Sequence, residues 1–101
     1  GDLKKTIAKI NEMVQNYIDD NKKVGIMATD ETKSSYKQGV VISLGSRKDM
    51  YSIGKNLFET LRTFDDREVD IILSEAFDEE GFGIAIMNRL NKSAGFDILN
   101  V

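Results

Sequence analysis

The chain has 101 residues, enough for one hydrophobic core and too few for two. It carries no cysteine and no histidine, which excludes disulfides, thiol nucleophiles, Cys/His zinc sites and the commonest general base near neutral pH. Net charge is −3, from 17 acidic and 14 basic residues, so the basic face that phosphate binding needs is missing and direct nucleic-acid contact is not expected.

Leu3, Ile7, Ile10, Val14, Tyr17 and Ile18 recur at helical spacing, predicting an amphipathic helix over residues 3–20 that Asp19, Asp20 and Asn21 bring to an end. Lys23 to Ala28 is a short apolar run suited to a buried strand. Thr29-Asp30-Glu31-Thr32 then reads as the start of a brief helix reaching Tyr36, with Thr29 or Asp30 as cap and acids at the positive dipole end. After Gly39, the run Val40 to Leu44 is rich in β-branched residues and predicts a second strand. Asp49 is placed to cap a long helix whose apolar stripe is Met50, Ile53, Leu57, Phe58, Leu61 and Phe64. Val69 to Leu73 predicts a third strand, and Gly81 to Ala94 a third long helix ended by Gly95 in a left-handed cap with Phe96 packed behind it. Asp97 to Val101 is suited to a fourth strand.

Alternating strands and helices imply crossover connections and a short, mostly parallel sheet covered on both faces. The expected fold class is α/β: a small three-layer, Rossmann-like domain spanning residues 1–101, with helix 1–21 as an extra element on an α/β body of residues 22–101. No apolar run approaches the ~20 residues of a membrane-spanning helix. The first residue is Gly rather than Met, and the chain is expected to be a piece of a longer protein.

Ligands and partners of open parallel sheets gather beyond the carboxyl ends of the strands. Three loops should converge there: Thr29 to Thr32, Gly45 to Asp49, and Glu75 to Gly83. The candidate working face is Thr29, Asp30, Glu31, Gly45, Ser46, Arg47 and Glu75. The Gly45-Ser46-Arg47 turn precedes a helix, so its N–H groups suit an anion, with Arg47 adding a bidentate fork; equally, Gly45 permits a tight turn while Arg47 pairs with a nearby carboxylate. Nothing matches a P-loop or a dinucleotide-binding Gly-x-Gly-x-x-Gly. Asp78, Glu79 and Glu80 directly precede Gly81-Phe82-Gly83 and would repel phosphate; a magnesium set from Glu75, Asp78 and Glu80 competes with a solvated acidic helix cap, and the cap is preferred. Lys33, Tyr36 and Lys37 lie near the first loop without evidence of activation. A buried Arg47–Glu75 pair would either organise the loop face or meet a partner segment. No constellation argues for catalysis by this chain, and neither a catalytic nor a metal site is assigned.

Three blocks in order, Val24-Gly25-Ile26-Met27-Ala28-Thr29-Asp30-Glu31-Thr32, then Val41-Ile42-Ser43-Leu44-Gly45-Ser46-Arg47 with Asn56-Leu57-Phe58 and Leu61-Arg62-Thr63-Phe64-Asp65, then Val69-Asp70-Ile71-Ile72 through Asp78-Glu79-Glu80-Gly81-Phe82-Gly83 to Ala85-Ile86-Met87-Asn88-Arg89-Leu90 and Lys92-Ser93-Ala94-Gly95, give the chain a second identity. Over about residues 22–96 it resembles the C-terminal accessory domain of long-form L-threonylcarbamoyl-AMP synthases. That resemblance implies a cytoplasmic parent that is a nucleotidyltransferase of tRNA processing. Such a parent makes threonylcarbamoyl-AMP from threonine, bicarbonate and ATP for the threonylcarbamoyladenosine modification of tRNA. It implies that ATP and magnesium are held by an N-terminal YrdC-like catalytic domain absent from this chain, and that the partners here are that domain and its linker. No cofactor, nucleic acid or membrane contact is implied for the domain itself. The alternative reading is a free-standing small-ligand or nucleotide-binding α/β module using the same loop face.

Overall fold

The first helix, α1, spans Asp2–Asp19 in a computed structural model that describes residues 2–75 and 97–100. The apolar stripe read from the sequence is its inward face: Ile10 and Val14 are buried, and Ile7, Met13, Tyr17 and Ile18 pack partly buried beside them. Asn21 ends the helix by adopting a left-handed φ of 61°, so that the Lys22 N–H reaches the Tyr17 carbonyl and the Asn21 N–H the Ile18 carbonyl. Strand β1 follows as Val24–Ala28, every residue buried.

The brief helix expected from Thr29 to Tyr36 does not form. The chain makes only a single 3-10 turn, Lys33–Ser35, and no side chain caps it. After one helical bond, from the Lys33 N–H to the Thr29 carbonyl, the ladder tightens to i→i−3 bonds from the Ser35 N–H to Thr32 and the Tyr36 N–H to Lys33, and Tyr36 then leaves in an extended conformation with its hydroxyl on Glu75. The Thr29 N–H donates to Thr32 Oγ1 at 3.1 Å, and the two threonine oxygens are 3.0 Å apart. Strand β2, Val40–Ser43, comes next, then α2, Met50–Asp66, capped by Asp49 as expected through the Ser52 N–H at 3.2 Å. The end of α2 repeats the motif that closes α1: Glu68 takes φ 55°, the Val69 N–H bonds the Phe64 carbonyl, and the Glu68 N–H the Asp65 carbonyl. Strand β3 is Ile71–Ser74, two residues later than expected at its start, and β4 is Asp97–Asn100. The predicted helix Gly81 to Ala94, its Gly95 cap and the acids Asp78, Glu79 and Glu80 lie outside the described residues.

The sheet runs β2-β1-β3-β4 with every pairing parallel. Alternation along β1 sends Val24, Ile26 and Ala28 into a cluster with Ile10, Val14, Tyr36, Ile71 and Leu73, which is the α1 side. Met27 joins Leu44, Ile53, Leu57, Phe64, Val69 and Ile72, which is the α2 side. Among the described residues, helix α1 thus packs on one face of the sheet and α2 on the other. Each fully buried Ile, Leu or Phe in the two clusters contributes about 1.5–3 kcal/mol relative to exposure. Gly25 faces α2 at a place where no side chain fits: a Cβ there would sit 2.7 Å from the Phe64 ring. The inward positions of α2 are Ile53, Leu57, Thr60 and Phe64; Phe58, assigned to that stripe from the sequence, is half exposed.

Candidate functional site: the carboxyl edge of the sheet

The chain passes from β1 to β2 on one side and then to β3 on the other, so the order of the sheet reverses between β1 and β3. Ligands of open α/β sheets settle at such a reversal, just beyond the carboxyl ends of the strands. Thr29 leaves β1 at this place and Glu75 leaves β3.

Glu75 is completely buried. Its Oε1 accepts from Arg47 Nη2 at 2.6 Å, and its Oε2 accepts from the Tyr36 hydroxyl. Arg47, whose side chain is 27% exposed, thus reaches inward from the loop after β2 to a carboxylate at the end of β3, crossing above β1. Burial first, and the Glu75 carboxylate second, push the Tyr36 phenol well above its usual pKa. Its proton stays on the oxygen across the physiological range, which makes Tyr36 a fixed donor and a poor base.

A second set of bonds closes the surface of the same edge. Ser43 Oγ donates to Asp30 at 2.6 Å, and the Asp30 N–H donates to the Gly45 carbonyl at 2.9 Å. Glu31 accepts from the Ser46 hydroxyl at 2.6 Å and from the Arg47 N–H at 2.9 Å. These two bonds, the hydroxyl's first, hold the Glu31 carboxyl below the usual carboxylate range. Gly45 takes φ 129°, which only glycine adopts readily, and its N–H donates to Ser43 Oγ. The Lys48 N–H is taken by Ser46 Oγ. Of the Gly45–Arg47 turn, the Arg47 N–H and the Ser46 hydroxyl are taken by the Glu31 carboxylate of the same chain, while the Arg47 side chain pairs with Glu75.

All seven candidate residues therefore lie on one edge. Asp30, Glu31, Gly45, Ser46, Arg47 and Glu75 are joined in two hydrogen-bonded sets, while buried Thr29 serves the turn with Thr32. Tyr36 is the residue that sequence reasoning passed over as a functional group, and Ser43 is a second. Of the other residues near the first loop, Lys37 bonds the Ser34 carbonyl, and Lys33 is exposed at the 3-10 turn. Glu75 is engaged by Tyr36 and Arg47, while Asp78 and Glu80, the other members of the magnesium set, lie outside the described residues. A shallow cavity lined by Tyr17, Lys22, Asp70 and Ile71 lies at the opposite, amino end of the strands. No helix among the described residues is long and apolar enough to cross a membrane.

Residues 2–95 match the family described as threonylcarbamoyl-AMP synthase, C-terminal domain. The chain belongs to that family. It is 38% identical to the threonylcarbamoyl-AMP synthase of Bacillus subtilis over 87 residues, which is 86% of this chain and 25% of that protein. The synthase of Pyrococcus abyssi is 38% identical over the whole chain, here covering 28% of the relative. That of Schizosaccharomyces pombe is 37% identical over 79% of the chain and 20% of the relative. The crystal structure of the C-terminal Sua5 domain of a hypothetical Sua5 protein from Pyrococcus horikoshii superposes with a TM-score of 0.70 at 35% identity, covering 97% of this chain and 87% of that one. This threonylcarbamoyl-AMP synthase C-terminal domain thus spans between a fifth and three tenths of the length of the curated relatives it matches.

Proposed function

We propose that the chain is the accessory, non-catalytic domain of a threonylcarbamoyl-AMP synthase, and that its carboxyl edge is the face turned toward the rest of that enzyme. In this reading the synthase joins threonine, bicarbonate and ATP into threonylcarbamoyl-AMP with release of pyrophosphate, for threonylcarbamoyladenosine in tRNA. ATP and magnesium are bound by the larger, catalytic portion, and the small domain shapes or supports it from a linker. The observation that carries the reading is the engagement of the edge itself. Glu75, Tyr36, Arg47 and Glu31, the groups best placed for acid–base work or anion binding, are bonded to one another. A set so engaged stiffens a surface, and among the described residues of the edge it holds these groups in bonds to one another rather than leaving one poised as a base.

The test uses Glu31→Gln in a full-length synthase carrying this domain, alongside the same change in the isolated chain. Glu31 is exposed, so the isolated domain should melt within a few degrees of the unmodified one. Pyrophosphate release by the full-length enzyme should fall several-fold. Unchanged activity together with an unchanged melt would remove this edge from the interface. The competing reading, a nucleotide- or small-ligand module, draws on the reversal of strand order between β1 and β3; saturable shifts of Thr29 and Glu75 amide resonances on titration with ATP would favour it.

A further inference from the structure

Strand β2 lies at the edge of the described sheet, paired with β1 alone. The direction of its peptide groups follows from register. The Leu44 N–H donates to the Ala28 carbonyl, so Leu44 points toward β1, and by the two-residue period Ile42 and Val40 do too. Val41 and Ser43 consequently turn both their N–H and C=O groups outward. Among the described residues no strand lies beyond them. Exposure agrees: all residues of β1 and β3 are buried, whereas all four of β2, although of similar apolar type, are only half buried.

Edges of this kind are usually blunted by a charge, a proline or a bulge within the strand. Val40-Val41-Ile42-Ser43 has none of these. Gly39 and Gly45, with φ of 86° and 129°, bound the stretch at both ends and define its length. At its carboxyl end β2 runs directly into Ser43, Gly45, Ser46 and Arg47, the loop proposed above to face the rest of the synthase.

We infer that the outer edge of β2 is a strand-addition site for an extended segment of the synthase chain lying outside this domain, paired through the main chain of Val41 and Ser43. The inference rests on the reading of the chain as part of a longer synthase, whose curated relatives supply more than two hundred further residues by the shares given above. Recognition is by backbone amides, so the segment needs three or more residues in extended conformation without proline opposite the two outward peptides.

Amide hydrogen exchange of the isolated chain and of the full-length synthase tests it. In the isolated chain, Val40 and Ile42 amides should be protected and those of Val41 and Ser43 should exchange freely. In the full-length enzyme, Val41 and Ser43 should slow by about 100-fold or more. Val41→Pro, which removes an outward N–H and no bond to β1, should abolish the added protection at Ser43 while Ile42 stays protected. Equal, fast exchange of Val41 and Ser43 in both proteins overturns the inference. So does protection already present in the isolated chain, whether constant, meaning the domain covers its own edge, or rising with concentration, meaning a second copy covers it. Because the readout is local to β2, it is independent of the activity change sought with Glu31→Gln.

Discussion

Arg47 and Glu75 are 28 residues apart, follow different strands, and meet at 2.6 Å over the carboxyl edge of the sheet. The two partners sit unequally: the carboxylate is fully buried, while the guanidinium side chain keeps 27% of its exposure. Removing one partner is therefore not equivalent to removing the other. Arg47→Ala leaves a fully buried carboxylate without its cation, whereas Glu75→Gln leaves the partly exposed Arg47 side chain and an amide that still bonds Tyr36.

Arg47→Ala should destabilise the isolated chain by about 2 kcal/mol, below the full value for breaking a wholly buried pair because Arg47 is partly solvated. At this chain length that lowers the melting temperature by roughly 10 °C. Glu75→Gln should cost less. A thermal melt of the two variants side by side decides it, and the reverse ranking would contradict the asymmetry of burial.

Tyr36 adds a pH signature. Its pKa is raised in the folded chain, so the folded state retains a proton that the unfolded state releases above about pH 10. The stability this contributes is fully present below that pH and declines as pH rises through and beyond it, toward the folded value. Tyr36→Phe should be less stable than the unmodified chain at pH 7, and its melting temperature should fall less steeply from pH 9.5 to 11. Parallel declines in the two proteins would mean that the phenol titrates freely.

Much of the architecture is written locally in the sequence. The stripe from Ile7 to Ile18, the β-branched run at Val40, and Asp49 before Met50 each carry their own periodicity or cap, and each forms the element it suggests. Arg47 and Glu75 were legible as a pair because both leave strands at one edge. Tyr36 was not, since its position depends on the chain tightening into a 3-10 turn and leaving it extended where local propensity favoured a helix. Phe58 was misplaced because it neighbours Leu57, and only packing decides which of two adjacent apolar residues faces inward. Strand order, and with it the reversal between β1 and β3, has no local signature at all.

Gly25→Ala tests the closest approach in the core. The added methyl would lie 2.7 Å from the Phe64 ring, inside a packed cluster, and should cost about 1–3 kcal/mol. Phe64→Leu in the same chain should recover part of that loss, so the double variant is more stable than the sum of the two changes predicts. Additive losses in denaturant titrations would place the strain elsewhere.

Glu68 closes α2 in a left-handed conformation that costs a residue with a side chain about 1–2 kcal/mol. Glu68→Gly should raise the melting temperature by a few degrees, after the greater backbone freedom of glycine in the unfolded chain is subtracted. A lower melting temperature would show that the Glu68 side chain has a stabilising role outweighing its backbone strain.

Pyrophosphate release by the purified isolated chain in ATP, threonine, bicarbonate and magnesium tests most directly whether the domain is non-catalytic, as proposed above. Release should remain at the level of a protein-free control, while a full-length synthase under the same conditions turns over. Sustained release by the isolated chain, free of contaminating synthase and lost on Arg47→Ala in a preparation shown to be folded, would contradict the account and make this edge a catalytic site.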